Sequence, residues 1–342
     1  MCEPRVPEPS ALQTVARRRT AWTRGVPVAL TVVIFLLIFW RIPFSAFWKA
    51  LSGAHWLPFL ALMGSFALGF FLLDTFVLST LIRWFHGPLP YRELLPVRAV
   101  TYLVSILNTQ LAQGALALYI HRRFHTPLAQ ITSTVGLMML LETTNLILFA
   151  TLGAVAFPGG APLLLALPFV IMLVWLLLIS LARGKLGVLG QRLSGSGLLS
   201  TFRRVRLRQC AVILGLKGAV FCLALIVHSQ ALGFFGMAIP LARLVACLPV
   251  VFLVAALPIT VAHLGTSQAA WIFFFSDYAP TADLLAYSLV SHLTFMLANG
   301  TFGVLFLPKA YSDLFLNLPT AKAEGFREPP RDGIRGSFRP QQ

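Results

Sequence analysis

The stretch from Leu241 to Tyr278 constrains the fold more than any other, because polar residues interrupt a long apolar run. Its first part, Leu241–Leu257, has 17 residues, and its second part, Ala269–Phe275, is shorter. A helix needs about 20 residues to cross the hydrocarbon core, so the second part is too short to cross alone. Backbone that leaves a helix at membrane depth is tolerated only where protein or a watery cavity meets it. The pattern favours a broken helical hairpin that enters the bilayer and returns. One long helix kinked at Pro258 is the alternative.

Composition identifies an integral membrane protein. Hydrophobic residues make up 58% of the 342 residues and charged residues only 11%, whereas ordinary soluble domains carry about 25% charged residues. The net charge of +16 does not indicate nucleic-acid binding, because the basic residues lie in short loops and tails between apolar segments. The positive-inside rule and anionic lipids explain them there. The four cysteines form no CxxC pair, which argues against a disulfide framework and a thiolate metal site.

The basic residues also decide the predicted topology. If every segment through Leu181 crossed once from a cytoplasmic N-terminus, the basic loop Arg183–Arg208 would lie outside, against the positive-inside rule. The segment Ala99–Ile120 is the best candidate for not crossing, because its centre is polar and basic residues flank both ends. With both interrupted segments re-entrant, 23 of the 27 lysines and arginines lie inside, including those of the predicted loop Arg83–Arg98.

This topology gives the chain two halves of like order and opposite orientation. The sequence therefore predicts an all-α polytopic membrane protein, an inverted repeat of helix–helix–re-entrant hairpin–helix with about six full spans and two broken hairpins. A chance match of apolar runs is the alternative. The predicted boundaries are 1–25 for a cytoplasmic basic tail, 26–157 for the first membrane repeat with its hairpin at 99–120, 158–307 for the second with its hairpin at 241–278, and 308–342 for a disordered cytoplasmic tail.

Three amide side chains mark the first hairpin. Asn108, Gln110 and Gln113 cannot all face lipid without leaving polar groups unpaired, at several kcal/mol each. We expect them to line a cavity or cap the break, where they suit a phospholipid or polyprenyl-phosphate head group. Hydrogen bonding between helices is the alternative.

The tip of the second hairpin is also polar. Thr266, Ser267 and Gln268 begin its second half-helix, whose N-terminal dipole and free N–H groups favour an anion, with ordinary N-capping by Thr266 or Ser267 as the alternative. His263 either titrates or binds a phosphate there, or is a buried histidine with its hydrogen bonds satisfied.

Glu142, in the middle of an apolar helix, is the strongest single candidate, because a carboxyl group in the membrane usually faces a polar interior or a pathway. A structural contact with Asn145 or a neighbouring helix is the alternative. Asp74 follows the same reasoning, but it lies about two turns from Arg83, so an interfacial role competes.

Arg122 and Arg123 follow the first hairpin, and we expect them to hold anionic lipid at the cytoplasmic surface. A topology signal alone is the alternative. His121 and His125 have helical ligand spacing but no acidic or cysteine partner. The sequence has no Gly-rich phosphate loop, nucleophile elbow or metalloprotease motif. We therefore expect no enzyme activity, no cofactor and no metal, with membrane lipids as the partners.

The segment Pro258–Gln268, PITVAHLGTSQ, resembles the PISxGGLGxRE-type signature of the lysylphosphatidylglycerol synthetase/flippase membrane-domain family. The resemblance covers most of residues 26–307 and includes Asn108, Gly114, and Glu142 with Asn145. It implies a bacterial inner-membrane protein with inverted repeats that translocates lipid or works beside lipid-modifying enzymes.

The sequence departs from the signature in its charges. His263, Ser267 and Gln268 replace the second glycine, the arginine and the glutamate of the motif, and Ala112 stands near the place of a proline in the first hairpin. The second hairpin is therefore neutral.

The predicted function is translocation of an anionic phospholipid or lipid-linked intermediate between leaflets of the bacterial inner membrane, with both termini cytoplasmic. The tips Asn108–Gly114 and Pro258–Gln268 would form the head-group cavity, and Glu142 would be its ionisable group. The alternative is a non-transporting scaffold that docks a lipid-modifying or glycosyl-transferring enzyme through the basic loop and tail.

Overall fold

A computed structural model describes residues 29, 31–107, 109–156, 162–185, 187–256, 260 and 264–311. Within these ranges the chain is all helical, which confirms the predicted fold class. The elements are α1 Thr31–Arg41, α2 Phe44–Ser52, α3 Trp56–Phe85, α4 Tyr91–Leu107, α5 Thr109–Phe124, α6 Leu128–Ala156, a 3₁₀ helix Pro162–Ala166, α7 Leu167–Ala182, α8 Gly187–Gly195, α9 Ser200–Arg204, α10 Leu207–Gly233, α11 Leu241–Ala255, α12 Thr266–Phe275 and α13 Thr281–Tyr311.

Five of the described helical segments are long and apolar enough to cross a membrane: α3, α6, α10, α13, and Leu164–Ala182, which contains α7. Helices α1 and α2 meet at 89° and add a sixth span if the bent pair crosses as one. With 30 residues, α3 is about 45 Å long and exceeds the hydrocarbon core of about 30 Å. The chain is therefore a multi-pass membrane protein with five or six spans, as predicted.

Prolines mark where several helices begin. Helices α2, α4, α6, α11 and α13 each start directly after a proline whose carbonyl accepts a hydrogen bond from the first turn, as with Glu93 N–H on Pro90 and Arg243 N–H on Pro240. Proline lacks an N–H group, which a helix start does not need, and its fixed φ suits that position. The loop prolines in the sequence thus set the helix boundaries.

Both predicted hairpins are interrupted helices. Helices α4 and α5 are separated at Asn108, and α11 and α12 are separated by residues 256–265. Gly265 ends the second break with φ of +92°, a conformation that glycine adopts without strain. Helix α4 begins at Tyr91, eight residues before the predicted segment, so Arg98 lies inside a helix and not in a loop.

Two of the interrupted helices pack against long helices that are distant in the sequence. Helix α4 lies along α13, and α11 lies along α6. Each contact contains a glycine in close approach. A Cβ at Gly303 would stand 2.5 Å from Leu103 Cβ, and one at Gly153 would overlap the backbone of Ala246. Small residues of this kind let membrane helices approach closely. Helices α3 and α10 pack against each other between the two contacts.

The buried apolar side chains form two clusters that share α3 and α10. On α3, Phe66 belongs to one cluster and Val77 to the other; on α10, Phe221 and Ile213 divide in the same way. The site described below lies on the segments between them.

Candidate functional site

A group of charged side chains occupies the boundary between the two apolar clusters. Its members come from four helices: Asp74 on α3, Arg98 and Tyr102 on α4, Glu142 on α6 and Lys217 on α10. We refer to these five residues as the buried charge cluster. It contains two cations and two carboxylates, so its formal charge is zero.

Asp74 is the centre of the cluster and accepts hydrogen bonds at both carboxylate oxygens. Arg98 donates to Oδ2 from Nε at 3.1 Å and from Nη2 at 2.5 Å, and the Tyr102 hydroxyl donates to the same oxygen at 2.6 Å. Lys217 Nζ donates to Oδ1 at 2.8 Å. The side chains of Asp74, Lys217 and Arg98 are only 2%, 4% and 9% exposed. Both buried cations thus pair with Asp74.

Glu142 differs from Asp74 in its exposure. Lys217 Nζ donates to Glu142 Oε2 at 3.1 Å, but the Glu142 side chain is 46% exposed. Lys217 therefore bridges a sheltered carboxylate and an open one.

The cluster lies deep within the spans. Asp74 precedes the end of α3 by 11 residues, and Lys217 follows the start of α10 by 10 residues. At about 1.5 Å per residue, both residues lie about 15 Å inside the ends of their helices. Charged groups are most costly at that depth and are usually paired or face a pathway.

The tip of the first hairpin is described only in part. Asn108 and the side chain of Gln110 lie outside the described residues. The amide oxygen of Gln113 on α5 is buried and has no hydrogen-bond partner within the part of the chain that the structure describes. Of the three predicted amides, Gln113 therefore offers an unsatisfied acceptor.

The described tip of the second hairpin is closed by its own side chains. Gln268 is fully buried, and its Oε1 accepts the Gly265 N–H at 2.6 Å. The hydroxyls of Thr260 and Thr266 are 3.2 Å apart, and Ser267 is buried. Gln268 thus stabilises the start of α12, a role that the sequence analysis gave to Thr266 or Ser267 as an alternative. His263 lies outside the described residues.

The sequence analysis singled out Glu142 but missed its partners. The interfacial role considered for Asp74 is wrong, because Asp74 is buried and paired. The placement of Arg98 in a basic loop is also wrong, because Arg98 is buried in α4. The available signal was Lys217, a cation in the middle of an apolar helix, since such a residue requires a carboxylate partner.

The basic residues predicted to hold lipid lie at the end of α5. Arg122 and Arg123 are exposed, and Arg123 Nη2 donates to Glu93 Oε2 at 3.1 Å in an exposed ion pair. Such a pair adds little stability. His121 Nδ1 is 2.7 Å from the Thr126 carbonyl oxygen, and no group of three metal-ligating side chains occurs among the described residues.

A polar network ties three elements together at the basic end of the spans. His86 Nε2 lies 2.8 Å from the hydroxyl of Thr134 on α6, which lies 2.9 Å from the hydroxyl of Thr201 on α9. Burial, and then the charge of Arg204, lowers the pKa of His86 below its usual value of 6.5. The neutral imidazole is therefore the stable form in this network.

Comparison with known proteins links the whole membrane region to one family model. Residues 26–303 match the model described as "Lysylphosphatidylglycerol synthase TM region". No curated protein and no solved structure was found to match the chain. The matched region contains both interrupted helices and every member of the buried charge cluster.

Proposed function

Because the chain belongs to the family of the lysylphosphatidylglycerol synthase transmembrane region, whose members are membrane proteins of lipid metabolism, we propose that it moves an anionic phospholipid or lipid-linked intermediate between leaflets. The observation that carries the proposal is the buried charge cluster. Asp74 and Lys217 lie about 15 Å from the basic ends of α3 and α10, and Arg98 is paired with Asp74. Fixed cations at this depth offset the desolvation of a head-group phosphate that hydrocarbon alone would exclude.

In this proposal the phosphate replaces Glu142 at Lys217. Asp74 holds Arg98 and Lys217 in place from the buried side, whereas Glu142 is 46% exposed and contacts Lys217 alone among the cations of the cluster. The cluster is neutral with Glu142 ionised, so a phosphate at Lys217 adds one negative charge unless Glu142 takes up a proton as it gives up the ammonium group. Protonation of Glu142 on binding, and its ionisation on release, would keep the charge of the site constant.

The packing of the interrupted helices supports the inverted repeat that accompanies this function. The contact of α4 with α13 has its counterpart in the contact of α11 with α6, and each contains a closely packed glycine, Gly303 in the first and Gly153 in the second. In inverted-repeat transporters, broken helices from the two halves meet near the bilayer midplane. We keep 26–157 and 158–307 as the two repeats, with α4–α5 and α11–α12 as the re-entrant hairpins.

Two polar groups at the hairpins have separate tasks in the proposal. The unpartnered amide oxygen of Gln113 accepts a hydrogen bond from a hydroxyl or ammonium group of the head group. Gln268 positions the start of α12 and acts on transport only through that position.

The proposed location is the bacterial inner membrane with both termini cytoplasmic. Support comes from the basic end of the spans, where Arg204 lies close enough to His86 to lower the pKa of that imidazole. The closeness of these two residues supports a topology with the loop after α3 and the long basic loop on one face, as the positive-inside rule expects. Arg98 no longer contributes to that charge count, because it is buried.

Lipid movement in proteoliposomes tests the proposal, with labelled anionic and zwitterionic lipids compared. We expect selective movement of an anionic lipid by the wild type, with strong loss in Glu142→Ala and partial loss in Gln268→Ala. Glu93→Ala is the matched control, because it removes an exposed carboxylate paired with Arg123. Unchanged transport in both Glu142→Ala and Gln268→Ala would show that the site is misassigned.

One observation favours the second function, a non-transporting scaffold for a lipid-modifying or glycosyl-transferring enzyme. Helix α7 has only Ile171 and Ala182 buried, and it carries an exposed apolar surface that a partner membrane protein could pack against, made of Phe169, Val170, Met172, Leu173, Leu176 and Leu177. If the wild type moves no lipid across a broad panel and such an enzyme co-purifies with it, the scaffold function is the better assignment.

A further inference from the structure

A second cationic site lies at the basic end of the spans, away from the buried charge cluster. A cleft of ≈ 320 Å³ opens between the end of α3 and the start of α10. Five residues line it: Trp84, Arg206, Arg208, Gln209 and Val212. Its volume is at the lower end of the range for small-ligand sites, about 300–1,000 Å³, which suits a head group and not a whole lipid.

The charge of the cleft is uncompensated. Arg206 and Arg208 are exposed, and neither forms an ion pair with any residue in the described ranges. No acidic side chain is among the lining residues. Gln209 Oε1 already accepts the Arg206 N–H at 2.9 Å, so its amide NH₂ group is the part that remains to donate. Two guanidinium groups and an amide donor match the oxygens of a phosphate.

The other wall of the cleft is apolar. The indole of Trp84 and the side chain of Val212 line it, and Leu207 beside it is 90% exposed. Trp84 is the penultimate residue of a membrane span, a position where tryptophan usually lies at the interface between lipid and water. The cleft therefore runs from a cationic rim to an apolar wall at the level of the head groups.

We propose that this cleft binds the phosphate group of an anionic phospholipid in the adjacent leaflet. The apolar wall favours a lipid over a free phosphate ion, which gains nothing from Trp84 or Val212. The site does not depend on translocation, since a transporter and a scaffold would both use it to hold lipid at the surface. Binding is also measured without transport, so failure of one proposal leaves the other standing.

Quenching of Trp84 fluorescence by brominated lipid tests the site in nanodiscs that contain the full-length protein. The signal of Trp84 is the difference between the wild type and Trp84→Phe. In a phosphatidylcholine bilayer, we expect brominated phosphatidylglycerol to quench this signal at a much lower mole fraction than brominated phosphatidylcholine. Because each arginine near the surface contributes about fivefold to anionic-lipid binding, Arg206→Gln/Arg208→Gln is expected to weaken the preference by about 30-fold.

Two control variants separate the effect of the cleft from that of the net charge. Arg183→Gln/Arg192→Gln removes two exposed arginines of the same loop that do not line the cleft, and it should leave the preference unchanged. Arg206→Lys/Arg208→Lys should retain most of it. Equal quenching by the two lipids, or a preference that survives Arg206→Gln/Arg208→Gln, overturns the proposal. Loss of the preference when inorganic phosphate replaces chloride at equal ionic strength would instead identify a free phosphate as the ligand and overturn the lipid assignment.

Discussion

Replacing Asp74 by asparagine should destabilise the fold far more than replacing Glu142 by glutamine, although each change removes one negative charge from the cluster. Asp74 is 2% exposed and binds both Arg98 and Lys217. Breaking a buried ion pair by removing one partner destabilises by about 3–5 kcal/mol, because the remaining charge is uncompensated. Glu142 is 46% exposed, and Lys217 keeps Asp74 when Glu142 is lost. For Asp74→Asn we expect about 4 kcal/mol, and for Glu142→Gln about 1 kcal/mol or less.

Lys217→Met is expected to fall between these values. It removes one buried cation, but Asp74 retains Arg98 and Tyr102, and Glu142 is 46% exposed. The double variant Asp74→Asn/Lys217→Met should be less destabilised than the sum of the single variants, since each single variant already breaks the contact between Asp74 and Lys217 and the double variant loses that contact only once. A coupling free energy of about 0.5–3 kcal/mol is expected for two residues in direct contact.

The assay is reversible unfolding by sodium dodecyl sulfate in mixed micelles, with labelling of the Cys247 thiol as the probe. Cys247 is only 3% exposed in the folded protein, so its reaction reports loss of tertiary packing. The background variant carries serine at the other three cysteines, Cys2, Cys210 and Cys222. Equal free energies of unfolding for Asp74→Asn and Glu142→Gln, or additive effects in the double variant, would refute the division of the cluster into a sheltered and an open carboxylate.

Three further outcomes are expected from the packing and the caps. Gly153→Ala should destabilise the fold by about 1–3 kcal/mol, because the added Cβ overlaps Ala246 on α11. Gly136→Ala on the same helix adds a Cβ that meets no atom within 4 Å, so its free energy of unfolding should equal that of the wild type in the same assay. Because the pKa of His86 is lowered in the folded protein, the contribution of the neutral imidazole to stability should be fully present above pH 6.5 and should be lost as the pH falls below it. The thermal unfolding temperature of His86→Gln should therefore depend less on pH than that of the wild type. Gln268→Leu leaves the Gly265 N–H without its acceptor and should lower stability by about 1–3 kcal/mol, with hydrogen exchange fastest at the start of α12.

The helices and their interruptions were predictable because they follow from local features. Long apolar runs predicted the spans, and the polar breaks near Asn108 and Pro258 predicted where helices are interrupted. The buried charge cluster was not predictable to the same extent. Lys217 and Asp74 are 143 positions apart, and only the packing of α3 on α10 brings them together. Arg98 was assigned to a loop because a basic residue near a segment end has the same local pattern in a loop and in a helix start.

The unequal exposure of the two carboxylates argues for a site that exchanges ligands over one that only stabilises the fold. Two buried cations need two anions, and a purely structural network would shelter both, as it shelters Asp74. Glu142, the second carboxylate of Lys217, is instead 46% exposed. Arg206 directly precedes α10 and lies 11 residues before Lys217. Eleven residues are close to three full turns of a helix and rise by about 16 Å. Arg206 and Lys217 therefore lie near the same face of α10. For an anionic head group bound in the surface cleft, Lys217 is the next fixed cation along this helix towards the middle of the membrane.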